Sequence, residues 1–201
     1  MSMEGAFIVL EGIDGVGKTT ISKRLGAWLE GRGRKAVLTA EPTEGWLGMA
    51  VRRANREDLD PRTEALLFTA DRCQHTLAIE RLLAEGNVVV SDRYYGSTVA
   101  YQGAALERGM GEGAVEWLLA MNRPVVRRPD LTVLLTCDPG AAMRRVGARG
   151  DRSKFEREGY LGRVQEIYLM LAGDLGWTVV SSDGPLDEVF ERVRRAVQAY
   201  V

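Results

Sequence analysis

The chain has 201 residues, 45% hydrophobic and 27% charged, a balance that excludes disorder, collagen and low-complexity architectures and suits one domain with its own core. Lysine and arginine number 27 against 28 acidic residues, for a net charge of -1, so the basic excess of a dedicated nucleic-acid binder is missing. Cys73 and Cys137 are the only cysteines and His75 the only histidine, which argues against a disulfide framework and zinc chemistry and leaves two buried, inert thiols as the expectation.

In chain order, Phe7 to Leu10 is the first short apolar run, followed by a helical repeat of Ile21, Leu25, Trp28 and Leu29. Further runs are Ala36 to Leu38, Val88 to Val90, Leu131 to Leu135 and Thr178 to Val180. They are continuous rather than alternating, so they read as strands covered on both faces. Tyr160, Leu161, Val164, Ile167, Tyr168 and Leu171 form a helical stripe. Leu186, Val189, Phe190, Val193, Val197 and Tyr200 form another behind an Asp183-Gly184-Pro185 start signal. Five buried strands joined by helices predict an α/β fold with a five-stranded parallel sheet flanked by helices. Gly147 to Lys154 lacks a core pattern; its two glycines and its three cations, Arg149, Arg152 and Lys154, read as a lid or as a solvated turn. No apolar run approaches the ~18 residues of a membrane span, and the N-terminus lacks a basic leader region, so a cytoplasmic protein with no membrane partner is expected.

Directly after the first strand stands Gly12-Ile13-Asp14-Gly15-Val16-Gly17-Lys18-Thr19, followed by Thr20. It matches G-x-x-x-x-G-K-[ST] in full, with a strand before it and an amphipathic helix after it. Gly12 and Gly17 let the backbone turn tightly so that several N–H groups converge on one anion, and the helix N-terminus adds its positive end. Lys18 can neutralise β- and γ-phosphate oxygens, and the Thr19 hydroxyl can ligate Mg2+. The segment therefore predicts a P-loop NTPase fold with a nucleoside triphosphate bound here. No Asn-Lys-x-Asp segment of guanine-specific GTPases is present, and no Leu-Ser-Gly-Gly signature of transport ATPases.

A second site gathers downstream. Asp92 and Arg93 end the third strand, where open α/β sheets bind their ligands, so Asp92 can serve a metal or a nucleophile and Arg93 can fork a phosphate. Glu41-Pro42-Thr43 follows the second strand, with Arg52 farther along. Phe68 and Arg72 are four apart and share a helix face, where a ring and a planar donor can hold a base; on spacing alone a core Phe beside a surface Arg is the favoured explanation.

The segments Glu11 to Thr20, Glu41-Pro42-Thr43, Leu67 to Arg72, Asp92-Arg93-Tyr94, Ser97 to Gly103 and the Arg149-Gly150 pair resemble thymidylate kinases in order and rough spacing. The resemblance implies a single P-loop kinase domain with a lid at about 147–155, usually a homodimer, that moves the γ-phosphoryl of ATP onto dTMP with Mg2+. It implies that Asp14 touches the acceptor sugar and phosphate region, Phe68 stacks on thymine and Arg72 donates to a base carbonyl. It further implies that Arg93 and Arg52 grip the acceptor phosphate, that Glu41 belongs to the dTMP site, and that Tyr101 crowds the 2′ position. Ser97 and Gln102 fall where the family places polar base contacts, and Asp92 falls on the magnesium and acceptor side. Some family members carry an arginine after the P-loop acid; here that position is Gly15, so the charge over the transferred group is expected from Arg149, Arg152 or Lys154. Another monophosphate kinase, for uridylate or cytidylate, and a P-loop ATPase that signals to a protein partner are the alternative readings.

Overall fold

The computed structural model describes residues 4–57, 59–111, 113–147 and 154–201. All five apolar runs are strands: β1 (Ala6–Glu11), β2 (Ala36–Ala40), β3 (Val88–Asp92), β4 (Leu131–Thr136) and β5 (Thr178–Ser181). They pair in parallel in the order β2-β3-β1-β4-β5. Side chains of successive strand residues point to opposite faces. Accordingly Ile8 and Leu10 join the larger apolar cluster, while Phe7 and Val9 pack into a second one with Ile79, Leu83, Val89 and Tyr94. Both faces of β1 are thus buried, which is why its sequence shows no alternation. The expected two-sided cover fails at the edges, where Leu38 of β2 is 42% exposed and Val179 of β5 is 47% exposed. An edge strand has a neighbour on one side only, and the helices at the rim leave part of it open.

The helices are α1 (Lys18–Glu30), α2 (Trp46–Ala54), α3 (Pro61–Ala84), α4 (Tyr95–Met110), α5 (Gly113–Asn122), α6 (Pro139–Val146), α7 (Lys154–Leu175) and α8 (Leu186–Val197), closed by a 3-10 turn over Gln198–Tyr200. The expected stripes face inward through Ile21, Leu25 and Leu29 of α1, Val164, Ile167, Tyr168 and Leu171 of α7, and Val189, Val193 and Val197 of α8. Two helix starts are written locally: Asp60 Oδ1 accepts from the Arg62 amide at 2.8 Å before Pro61-led α3, and Asp138 Oδ2 accepts from the Ala141 amide at 2.7 Å before Pro139-led α6. Cys137 is buried as expected, but Cys73 is only half-buried, because its position on α3 lies between the core stripe and the outer face. Because β1 and β3 are neighbours with Leu10 paired to Asp92, the loop after β1 and the segment after β3 meet at the carboxyl edge of the sheet.

Candidate active site

The loop from Gly12 to Gly17 is a backbone cradle. Gly12 has φ 140°, and a Cβ there would lie 2.3 Å from the Leu135 carbonyl oxygen, so no other residue fits. Gly17 has φ 95° and caps α1 without any side-chain hydrogen bond, leaving the first amides of that helix for an anion. Lys18 folds back into the loop, its Nζ donating to the Gly12 and Ile13 carbonyls at 2.9 Å each. Burial pushes its pKa down to about 7, with Arg93 adding to the shift and Asp92, Asp14 and Glu11 opposing it. Beside it the Thr19 hydroxyl donates to Asp92 Oδ2 at 2.5 Å, joining α1 to the end of β3. Among the described residues no group of three or more His, Cys, Asp or Glu is placed to hold a metal. An oxygen pair of one hydroxyl and one carboxylate next to a phosphate cradle fits Mg2+, which takes one or two protein oxygens and fills its octahedron with water and phosphate.

A cleft of about 360 Å³ opens beside the loop, lined by Asp14, Glu41, Phe68, Arg72, Arg93, Ser97, Tyr101 and Gln102 of the expected site residues. Sequence reasoning missed Asn55, Glu64, Thr98 and Tyr160, which line it too. Arg52 is not part of the lining: its guanidinium donates to the Thr43 and Pro42 carbonyls at 2.5 and 2.8 Å and to Glu44 at 2.6 Å.

The floor of the cleft is a buried polar network built on Arg72, which is fully buried rather than on the surface. Its Nε and Nη2 both donate to Glu41 Oε2 at 2.8 and 2.6 Å, Nη2 also to Thr98 at 3.0 Å and Nη1 to Asn122 at 2.6 Å. Four of its five N–H groups are thereby used, and one Nη1 hydrogen has no protein partner among the described residues. Glu41's other oxygen faces His75 Nδ1 at 2.9 Å, and His75 Nε2 meets the Thr39 hydroxyl at 2.7 Å. The lone histidine is thus a clamp on Glu41. Asp71 accepts from the Thr43 amide and hydroxyl at 2.7 and 2.6 Å, which pins the segment carrying Glu41 to α3. Gln102 Nε2 donates to Glu64 at 3.3 Å across the cleft mouth.

Arg93 and Asp14 form the seam between cradle and cleft. Arg93 Nη2 donates to Asp14 Oδ1 at 2.6 Å, and Arg93 stands over the Tyr101 ring at 5.3 Å. Tyr101's hydroxyl accepts from the Asp14 amide at 2.9 Å and donates to Asp14 Oδ2 at 3.1 Å. Burial works against the Asp14 carboxylate, but Arg93 and Lys18 outweigh it and hold Asp14 below its ordinary range. The Tyr101 phenol is pushed up, burial being the main cause, so it stays neutral as donor and acceptor. From α7 the Tyr160 hydroxyl donates to the Tyr101 carbonyl at 2.8 Å. Arg145 of α6 reaches over the cradle, its Nη1 donating to the Gly15 carbonyl at 3.3 Å. Arg149 and Arg152 lie outside the described residues; Lys154 opens α7, and its side chain is outside them as well.

A glycine-rich backbone cradle and a cleft floored by a planar cation, joined by one acid–arginine pair, suit an enzyme that moves a phosphoryl group between two nucleotides. The family profile described as Thymidylate kinase matches residues 10–193 of the chain. The chain belongs to the thymidylate kinase family. A probable thymidylate kinase of Methanococcoides burtonii is 40% identical to it, with 99% of each chain covered. A thymidylate kinase of Clavibacter michiganensis is 41% identical over 99% of this chain and 97% of its own. A probable thymidylate kinase of Pyrobaculum calidifontis is 40% identical over 93% of both. As a thymidylate kinase the chain phosphorylates dTMP to dTDP with ATP as donor. No helix among the described residues is long and apolar enough to cross a membrane.

Proposed function

We propose that the γ-phosphoryl of ATP held on Gly12 to Thr20 passes in line to the phosphate of dTMP bound in the adjoining cleft. The observation that carries this reading is the Arg93–Asp14 pair at 2.6 Å, which puts an arginine that can fork an acceptor phosphate directly against the donor loop. The acceptor phosphate is already an anion, so the work is positioning and charge neutralisation rather than proton abstraction. Lys18 and Arg93 supply positive charge from the buried side, and Arg145 supplies it from the open side of a P-loop whose Gly15 carries none. Mg2+ held at Thr19 and Asp92 would offset charge on the donor phosphates. Arg149, Arg152 and Lys154 are assigned to a lid over 147–155 that excludes water and brings a cation to the transferring group.

In the acceptor cleft Phe68 supplies a stacking face for the base. The unspent Nη1 hydrogen of Arg72 suits a carbonyl acceptor such as thymine O4 and disfavours the amino group that cytosine carries there. Tyr101, held by Asp14 on one side and Tyr160 on the other, crowds the sugar and favours deoxyribose. The Ser97 hydroxyl is engaged with Glu11, Arg93 and Tyr168 and the Thr98 hydroxyl with Arg72, so both support the cleft wall, whereas the Gln102 amide is the polar group offered to the base. Arg52 would reach the acceptor phosphate by exchanging its contacts with the loop around Thr43. The test is ADP formation with dTMP, dUMP, UMP, CMP, AMP or no acceptor. Turnover that depends on the acceptor and is fastest with dTMP is expected. Equal ADP release without acceptor would identify a switch ATPase instead.

We also propose that the chain works as a cytoplasmic homodimer. Its cysteines are both free thiols, and Leu66 and Leu77 of α3 are 54% and 46% exposed. They lie about three helical turns apart and so share one outward apolar face. Light scattering should give twice the chain mass, and Leu77→Glu should halve it.

A further inference from the structure

Arg93 is the only non-glycine residue with positive φ among those described, at 75°. That region costs a side-chain-bearing residue about 1 kcal/mol or more, so neighbouring contacts must hold it there. Its amide donates to the Leu10 carbonyl at 2.9 Å and its carbonyl accepts from the Ser91 hydroxyl at 2.7 Å. The third hold comes from Glu11, the last residue of β1. Glu11 Oε1 accepts from the amides of Tyr94 and Ser97 at 3.0 and 3.2 Å. Tyr94 caps α4 without any side-chain hydrogen bond, so the carboxylate of a distant strand does the capping. Glu11 Oε2 accepts from the Ser97 hydroxyl at 2.6 Å and from the Tyr168 hydroxyl at 3.1 Å. The same Ser97 oxygen accepts from Arg93 Nη1 at 3.0 Å. Glu11 is 1% exposed and therefore out of reach of either substrate. The fit is tight: a Cβ on Gly96 would lie 2.8 Å from Glu11 Oε1 and 2.6 Å from Trp177 Cη2.

We propose that Glu11 is a positioning residue for the transfer reaction: it holds Arg93, through Ser97 and the start of α4, in the conformation that sets the guanidinium against Asp14 and the acceptor phosphate. One carboxylate thereby fixes the acceptor grip to the strand that carries the donor cradle. The inference rests on the reading of Arg93 as the phosphate-gripping residue. Loss of Glu11 acts first on the acceptor side, because Lys18 keeps its hydrogen bonds to the Gly12 and Ile13 carbonyls without it and Glu11 is the weakest of the three carboxylates that support the Lys18 charge.

The test is a double-mutant cycle with steady-state kinetics on Glu11→Gln, Arg93→Ala and the combined variant, with thermal melts to check folding. Glutamine keeps the shape and one accepting oxygen but removes the charge. The expected result is a KM for dTMP raised about tenfold or more in Glu11→Gln, a KM for ATP within about twofold of wild type, and a combined variant no worse than Arg93→Ala alone. Losses that multiply independently, equal rises in both KM values, or wild-type kinetics in Glu11→Gln overturn the proposal. An Arg93→Ala variant with wild-type kinetics removes the reading of Arg93 itself, and the proposal with it. If Glu11→Gln does not fold, Ser97→Ala replaces it in the cycle. That variant leaves the Glu11 contacts to both amides and to the Tyr168 hydroxyl in place and removes the hydroxyl that joins Glu11 to the guanidinium, together with its contact to Tyr168. Non-additivity with Arg93→Ala supports the proposal, and additivity overturns it.

Discussion

Binding of ATP is expected to draw a proton onto Lys18. In the free protein the amine is buried, its pKa is pushed down to about 7, and it donates to two carbonyls, those of Gly12 and Ile13. A neutral amine has two N–H groups, and those two carbonyls use both. A triphosphate in the cradle brings several negative charges within contact distance, which favours the ammonium and restores its pKa toward the ordinary 10.5 or above. At pH 8 about a tenth of the free protein carries the Lys18 proton, so binding takes up about 0.9 proton per site; at pH 6 most of it is already charged and uptake falls to about 0.1. Calorimetric titration of MgATP without acceptor, in buffers of different ionisation enthalpy and corrected for the nucleotide's own titration, measures this number directly. Lys18→Met is the control, in which the pH dependence of uptake should vanish. Equal uptake at pH 6 and pH 8 in the wild type would refute the argument. The same shift has a stability consequence of definite sign. Above about 7 the folded, nucleotide-free protein holds fewer protons at Lys18 than the unfolded chain, up to the unfolded pKa of 10.5. This group therefore makes folding more favourable as pH rises through that window, and its contribution is lost below about 7.

Other outcomes are equally checkable. Lys18→Ala should lower turnover by ~10²-fold or more with the fold intact by circular dichroism, since it removes a charge from the β/γ-phosphate site. Alanine at Arg149, Arg152 or Lys154 should lower kcat with little change in dTMP affinity, by ~10³-fold or more for the one that reaches the γ-phosphoryl; wild-type kcat in all three leaves Arg145 to carry that charge. Tyr101→Ala should raise activity on ribose acceptors relative to dTMP, and an unchanged ratio would reduce Tyr101 to packing. Gly48→Ala should destabilise by about 2–4 kcal/mol in urea unfolding, because its Cβ would lie 1.9 Å from the Thr43 carbonyl oxygen, a backbone atom that cannot rotate away.

The glycine-rich turn after β1 was legible because its conformation is local: glycines at Gly12 and Gly17, a lysine and a hydroxyl stand in fixed order along one turn and one helix start. The strands were legible because burial on both faces leaves a continuous apolar run, and α1, α7 and α8 because one buried face leaves a 3.6-residue period. What the sequence did not reveal is which runs are neighbours. Only the order β2-β3-β1-β4-β5 shows that β2 and β5 are edges, which is why Leu38 and Val179 remain open to water. The same order explains the residues that were missed. Glu11 meets Ser97 across 86 residues and Arg72 meets Asn122 across 50, contacts that no periodicity encodes. The spacing of Phe68 and Arg72 by itself favoured a surface arginine, and the structure buries it. Arg72 is buried because β2 delivers Glu41, and α5 delivers Asn122, to the same side of α3, where their oxygens replace the water that a guanidinium would otherwise have to keep.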